Sequence, residues 1–395
     1  MGKRTTIPIG PFHPLQEEPE FFTLTVEGER VVDIDVRIGW NHRGIEKLSE
    51  RKNFDQSTFV IERICGICST SHPFAYTMAV EDVMQLEVPD RAKYIRTIIA
   101  EGERIHSHLL WAGLAGHFLG YNTVFMWVWK AREEILDVME MLSGNRNNYA
   151  MFKPGGVRRD IDADVIKPCL AKLDRIEATL DLVRKAVEDD PVLQARTKGV
   201  GVLTLQDVID YSALGPTSRA SGLARDVRKD SPYAAYPMLD WQMITTENGD
   251  VYDKVILRVL ELYESISILR QALPNLPGGE IDANIKSVPP GEGVGHAEAP
   301  RGEVFHYVRS DGTNRPVRHK VRAPTFMNLP TYRESVVGET IADATIILAA
   351  IDPCYCCTER VAVVDGRGRR LHDGTDLVEM SRAKTERLRR EMGGA

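Results

Sequence analysis

The 395-residue sequence predicts a helix-dominated α+β fold: a long helical bundle flanked by small antiparallel sheets. Three observations carry this. Long central segments place apolar residues at i, i+3, i+4 and i+7 with charges between them. Two stretches, 20–40 and 303–323, alternate apolar and polar residues. No internal repeat, low-complexity tract or obvious linker interrupts the chain.

Residues 20–40 read as a hairpin. Phe22, Leu24 and Val26 point one way, Glu27-Gly28-Glu29 makes the turn, and Val32, Ile34, Val36 and Ile38 resume the alternation. A loop around Trp40 to Gly44 follows. Helices are predicted over about 91–113, 124–143, 163–189 and 251–274, with a shorter one at 205–214. In the second of these, Ile135, Val138, Met139 and Leu142 form the apolar stripe. Polar, glycine-rich connections are expected at 144–160, 215–235 and 287–302. A second hairpin at 303–323 turns on Asp311-Gly312. Residues 338–351 read as a buried helix, and a hairpin and a charged helix at 375–392 follow Arg360. This length suits one large domain or two intimately packed ones.

With 43% hydrophobic and 27% charged residues, the composition is that of an ordinary globular protein. A net charge of −7 argues against a nucleic-acid binder, whose footprint is basic. No stretch reaches the roughly 18 to 20 uninterrupted apolar residues of a membrane span. Met1 to Pro11 has neither the apolar core of a secretory signal nor a twin-arginine pair. The expected location is therefore the cytoplasm, with any membrane attachment made through partner subunits.

The chain has six cysteines. Four form two C-x-x-C pairs, Cys65 with Cys68 and Cys354 with Cys357, separated by nearly the whole chain. That spacing lets two thiolates converge on one soft metal. A zinc ribbon closes its second pair within about 15–20 residues of the first. Four thiolates nevertheless suit zinc, so spacing alone leaves a structural zinc and a redox centre both open.

The flanks carry more. Arg63 to His72 and Asp352 to Arg360 resemble the metal signatures R-x-C-G-x-C-x-x-x-H and D-P-C-x-x-C-x-x-H/R of nickel–iron hydrogenase large subunits. Arg43-Gly44-Ile45-Glu46, Gly155 to Asp160 and Glu298-Ala299-Pro300-Arg301-Gly302 extend the resemblance in the same order, over about residues 8–360. It implies a hydrogenase large-subunit-like catalytic domain at 1–360 and a C-terminal extension at 361–395, either retained or removed by processing after Arg360. The implied cofactor is a nickel–iron centre with carbon monoxide and cyanide on iron. Cys65 and Cys354 would be terminal nickel ligands, and Cys68 and Cys357 would bridge to iron. The implied chemistry is heterolytic cleavage of dihydrogen, or the reverse.

Other segments resemble the quinone-module, 49 kDa-type subunit of respiratory complex I: Gly10 to Pro14, His42 to Lys47, Glu103 to Leu109, and Gly215 to Lys229. A chain with both sets of features is similar to membrane-bound, energy-converting hydrogenases. Sulfur-reducing members of that group have lost some of the cysteines, and all four are intact here.

The resemblance suggests further site residues. Glu18 resembles the family's proton-transfer glutamate beside the bridging cysteine, although Glu17 is adjacent and a solvated surface acid is the plainer alternative. Arg301 resembles an arginine that overhangs the open metal position. Pro300 and Asp352 would complete that shell, and Asp352 could equally cap a turn. His72 would donate to a bridging sulfur or simply pack. His13, His106 and His108 are candidates for an internal path, with structural roles equally open. Cys169 and Cys356 read as bystanders.

With its paired cysteines committed to the centre, the chain is expected to hold no iron–sulfur cluster. Electrons would arrive through a small subunit carrying a proximal four-iron four-sulfur cluster, further iron–sulfur subunits and ferredoxin. Membrane-embedded, ion-translocating subunits would complete the complex. No G-x-G-x-x-G fingerprint points to direct NAD chemistry. The rival expectations are a quinone- or sulfur-reducing subunit of the complex I type, and a scaffold with structural zinc.

Overall fold

The N-terminal sheet has three strands where the sequence predicts two. In this computed structural model, which describes residues 3–13, 16–358, 363–372 and 374–393, β1 (Arg4–Ile9) pairs antiparallel with β2 (Phe21–Glu27), and β2 with β3 (Arg30–Arg37). Because β1 is a largely exposed edge strand containing Pro8, it lacks the apolar alternation that marks a half-buried strand. Phe22, Leu24 and Val26 are buried as expected. A register shift after Thr25 makes Val31, not Val32, the buried residue that opens β3.

Three helices missing from the predicted pattern lead into the bundle: α1 (Ile45–Ser49), α2 (Phe54–Glu62) and α3 (Ser71–Met84). A capping box starts α2, where Asn53 Oδ1 accepts the Gln56 N–H at 2.6 Å. The bundle itself is α4 (Asp90–Phe118), α5 (Asn122–Ser143), α6 (Ala163–Asp189) and α7 (Val251–Ala272), close to the predicted bounds. The predicted helix at 205–214 closes at Asp210, and Ser212 follows in a left-handed conformation.

The central helix is α4, which packs against both α5 and α7. Ile95, Ile98, Ile99, Ile105 and Leu109 are fully buried on it, each worth roughly 1.5–3 kcal/mol in transfer terms. Gly102 admits α5 at close range, since a Cβ there would lie 2.3 Å from Met139 Sδ. Unusually, α4 also buries Glu101, Glu103, Arg104, His106, Ser107 and His108. Polar groups are buried at such density only when their partners are built in.

Segment 287–302 is not the predicted connection. Most of it is β4 (Pro290–Ala299), which pairs with β5 (Gly302–Asp311), and β5 pairs with β6 (Pro316–Arg322). The composition misleads because alternate glycines serve packing here. A Cβ at Gly293 would lie 2.2 Å from Ala79 O, and one at Gly295 2.1 Å from Ala75 O, so α3 lies directly on the strand. The apolar segment near 340 forms α8 (Ile341–Ala350), and one further turn, α9 (Tyr355–Thr358), carries the last cysteines. Two short paired strands, Val363–Val364 and Arg370–His372, precede the exposed helix α10 (Gly374–Glu391). Among the described residues, no helix is long and apolar enough to cross a membrane.

Candidate metal centre

Cys65 and Cys68 lie in the turn between α2 and α3, and the surrounding fold fixes that turn from both sides. Arg43 donates Nη1 to Arg63 O and Nη2 to Ile64 O, both at 2.6 Å. On the far side, buried Glu103 of α4 accepts the backbone N–H and the hydroxyl of both Thr70 and Ser71. The Ile67 and Cys68 N–H groups point at Cys65 Sγ, at 3.3 and 3.2 Å. In the second pair, Cys354 N donates to Thr325 Oγ1 at 3.1 Å, and Cys357 N donates to Cys354 O at 3.3 Å.

The four sulfurs lie within 4.8 Å of one another, and all four residues are buried. Cys65 to Cys354 is 3.0 Å, Cys354 to Cys357 is 2.8 Å and Cys68 to Cys357 is 3.6 Å, all without a disulfide. Their electrostatics fit a cation. Burial opposes ionisation of Cys65, but bonds from Cys354, Cys357 and Cys68 overcome it and hold this thiol well below its ordinary range. Burial, with the bonds to Cys357, Cys65 and Cys68, pushes Cys354 well above its ordinary range, and burial, with Cys65 and Cys68, does the same for Cys357 against a lowering bond to Cys354. Bonds from Cys354 and Cys357 lower Cys68, but its bond to Cys65 and burial prevail, to about 11. Without a cation the cluster favours one thiolate. Four thiolates require bound positive charge, as a divalent metal provides.

Glu18 is partly buried beside the cluster, not solvated. Its Oε2 accepts the Cys356 N–H and its Oε1 the Cys356 thiol, both at 2.7 Å. Cys354 Sγ is 3.9 Å from the same Oε1. Among the cysteines, the glutamate therefore contacts Cys356 and approaches Cys354. Burial and the charge at Cys65 raise the Glu18 carboxyl to about 7. Glu17 is also raised, by burial and by Asp352. It lines a cavity with Gln16, Phe22, Pro353 and Tyr355.

Arg301 is fully buried and held by Asp352. Its Nε donates to Asp352 O at 2.7 Å, its Nη2 pairs with Asp352 Oδ1 at 2.6 Å, and its Nη1 donates to Ser107 Oγ at 3.0 Å. Burial opposes its charge, but Asp352 and the thiols of Cys354, Cys68 and Cys65 keep it firmly protonated. Asp352 takes a left-handed φ of 56°, which places it between Arg301 and Arg258, 3.9 Å from the latter. Pro300 is buried in the turn before Arg301. His72 Nε2 lies 3.3 Å from Cys357 Sγ.

Other candidates separate from the cluster. His106 meets Arg132, and His108 meets Glu261 at 2.8 Å. Cys169 is buried in the bundle core on α6. Arg360, which closes the second motif, lies outside the described residues. Sequence reasoning missed His306 and His319, single histidines on β5 and β6 that no local spacing links to the cysteines. It also missed a buried run of alternating charges. Arg219 bridges Glu261 and Glu298, both at 2.7 Å, and Arg228 pairs with Asp226 at 2.7 Å and Glu101 at 3.1 Å. The members of this run come from α4, α7, β4 and residues 216–230, so no single window of sequence contains it.

Comparison with known proteins matches this picture. The family described as the 49 kDa subunit of respiratory-chain NADH dehydrogenase matches residues 119–288 and 283–360, and nickel-dependent hydrogenase matches residues 43–113. Membrane-bound hydrogenase subunit alpha of Pyrococcus furiosus is 42% identical, over 98% of this chain and 95% of its own. Carbon monoxide-induced hydrogenase of Rhodospirillum rubrum is also 42% identical, over 90% of this chain and 99% of its own. A chain of the membrane-bound sulfane sulfur reductase, an archaeal respiratory membrane complex, superposes with a TM-score of 0.86 at 31% identity, covering 90% of this chain and 98% of that one. Fold and site thus define a hydrogenase-like oxidoreductase subunit of the kind found in membrane complexes. The chain belongs to the family that joins the large subunits of membrane-bound nickel-dependent hydrogenases to the 49 kDa subunit of respiratory complex I.

Proposed function

We propose that this chain is the catalytic subunit of a nickel–iron hydrogenase interconverting dihydrogen with protons and electrons. The observation that carries the reading is the convergence of Cys65, Cys68, Cys354 and Cys357 within 4.8 Å, with Glu18 alongside. Cys65 and Cys354 would hold nickel, and Cys68 and Cys357 would hold nickel and iron together. When bound, such a centre supplies the redox and Lewis-acid chemistry that splits dihydrogen heterolytically.

The chain's own residues handle protons and charge. Glu18, poised near neutrality, exchanges a proton at Oε1 beside Cys354, and Cys356 fixes the orientation of its carboxylate. Arg301 keeps a fixed positive charge on the cluster, while Asp352 holds the guanidinium in place and Pro300 shapes the turn that presents it. His72 donates to Cys357 Sγ.

The direction of catalysis is proposed to be hydrogen evolution from reduced ferredoxin, with electrons entering through a small subunit with a four-iron four-sulfur cluster and further iron–sulfur subunits. Residues 1–360 form the catalytic domain and residues 361–395 an extension. The subunit sits peripherally on the inner face of the membrane, attached through ion-translocating subunits. The test is hydrogen-dependent reduction of a viologen dye by the purified complex, with nickel and iron quantified per chain. Activity with one of each supports the reading; zinc without activity refutes it. The likeness to a sulfane sulfur reductase favours sulfur reduction as the second reading. Polysulfide-dependent turnover without hydrogen uptake would establish that instead.

A further inference from the structure

The buried contacts of Cys357 continue away from the cluster in a line. His72 Nε2 lies 3.3 Å from Cys357 Sγ and His72 Nδ1 lies 3.1 Å from His306 Nε2. His306 Nδ1 lies 2.9 Å from His319 Nε2, and His319 Nδ1 lies 2.7 Å from Ser49 Oγ. The four residues come from α3, β5, β6 and α1, and none is more than 1% exposed.

A neutral imidazole offers one N–H and one lone pair, so in such a line the direction of one hydrogen bond sets all the others. His306 is kept neutral by burial and by the histidines on either side. Burial likewise lowers His319 to about 4, despite nearby Glu46 and Glu50. Two directions exist. In the first, the Ser49 hydroxyl donates to Glu46 O at 2.8 Å, each ring carries Nδ1–H, and His72 turns a lone pair towards the sulfur. In the second, Ser49 donates to His319, each ring carries Nε2–H, and His72 donates to Cys357 Sγ. A metal-bound thiolate only accepts, which selects the second direction. Glu46 O then keeps the Glu50 N–H at 3.4 Å, so the reversal orphans no carbonyl.

We propose that Ser49, His319 and His306 are positioning residues, a one-way hydrogen-bond line that holds His72 in its Nε2–H tautomer against Cys357 Sγ. The inference rests on the reading of the four cysteines as metal ligands. Its consequence is that charge on one sulfur of the cluster is tuned from α1, three side chains away from His72. A hydrogen bond donated to a ligand sulfur draws off electron density and fixes the ligand's orientation.

The test uses the full chain labelled with 15N-histidine and loaded with zinc, with ring tautomers read by long-range 15N–1H correlation. His72, His306 and His319 should all show Nε2–H. His306→Leu should release His72 into exchange between tautomers and weaken zinc binding about tenfold. His306→Gln, whose amide can donate to His72 Nδ1, should restore both. Ser49→Ala, a smaller change, should move the His319 Nδ1 resonance to that of a nitrogen without a donor. An Nδ1–H tautomer at His72, or a His306→Leu protein with unchanged His72 signals and zinc affinity, overturns the line while the metal reading stands. Zinc uptake that Cys65→Ser leaves unchanged overturns both.

Discussion

Glu18 grips Cys356 at two points, its Oε2 accepting the backbone N–H and its Oε1 the thiol, both at 2.7 Å. This grip carries the N-terminal loop to the last turn of the site and leaves Oε1 3.9 Å from Cys354 Sγ. If Glu18 is the proton acceptor, Glu18→Gln keeps the shape and removes the base. Hydrogen-dependent dye reduction and exchange between deuterium gas and water protons should then fall at least about 100-fold, with nickel and iron content unchanged. Near-normal exchange would move the role to Glu17.

Cys356→Ala removes the thiol donor but leaves the backbone donor. Burial already raises Glu18 to about 7, and the Cys356 bonds are among the influences that hold it down. The substitution should therefore raise Glu18 further and shift its limb of the pH–rate profile to higher pH. A profile superimposable on that of the unsubstituted enzyme would make Cys356 the bystander that the sequence suggested.

Asp352 faces Arg301 at 2.6 Å and Arg258 at 3.9 Å, in a fully buried setting. Asp352→Asn keeps the volume but removes the charge that compensates both guanidinium groups. Removing one partner of a buried pair costs roughly 3–5 kcal/mol. Urea denaturation should show a loss of that order. A loss below about 1 kcal/mol would mean that the cluster thiols, not Asp352, balance Arg301.

Acid should destabilise the chain through its buried histidines. Burial lowers His319 to about 4 and, with Arg132, His106 to about 3. For bases lowered by folding, stability is complete above the unfolded value of about 6.5 and is lost as pH falls towards the folded value. For His319 the difference corresponds to about 3 kcal/mol. His319→Gln should flatten the slope of stability against pH between 6.5 and 4. An unchanged slope would place the loss at other groups.

The bundle was legible because α4 to α7 carry long apolar stripes, a signal summed over many residues. The cysteine pairs were legible because their ligand spacing is local. Strand β4 was not, since Gly293 and Gly295 serve α3 and carry no apolar side chain to mark a strand. Glu17 and Glu18 could not be separated from sequence because both enter the site, by different routes. His306 and His319 became visible only when β5 and β6 paired beside α3. Long-range topology brings them to His72, and no window of sequence contains it.

The most direct test is the infrared spectrum of the purified complex. A nickel–iron centre at Cys65, Cys68, Cys354 and Cys357 predicts stretching bands from carbon monoxide and cyanide on iron, lost in Cys68→Ser. A spectrum without those bands, from protein carrying its full complement of metal, would contradict the nickel–iron reading.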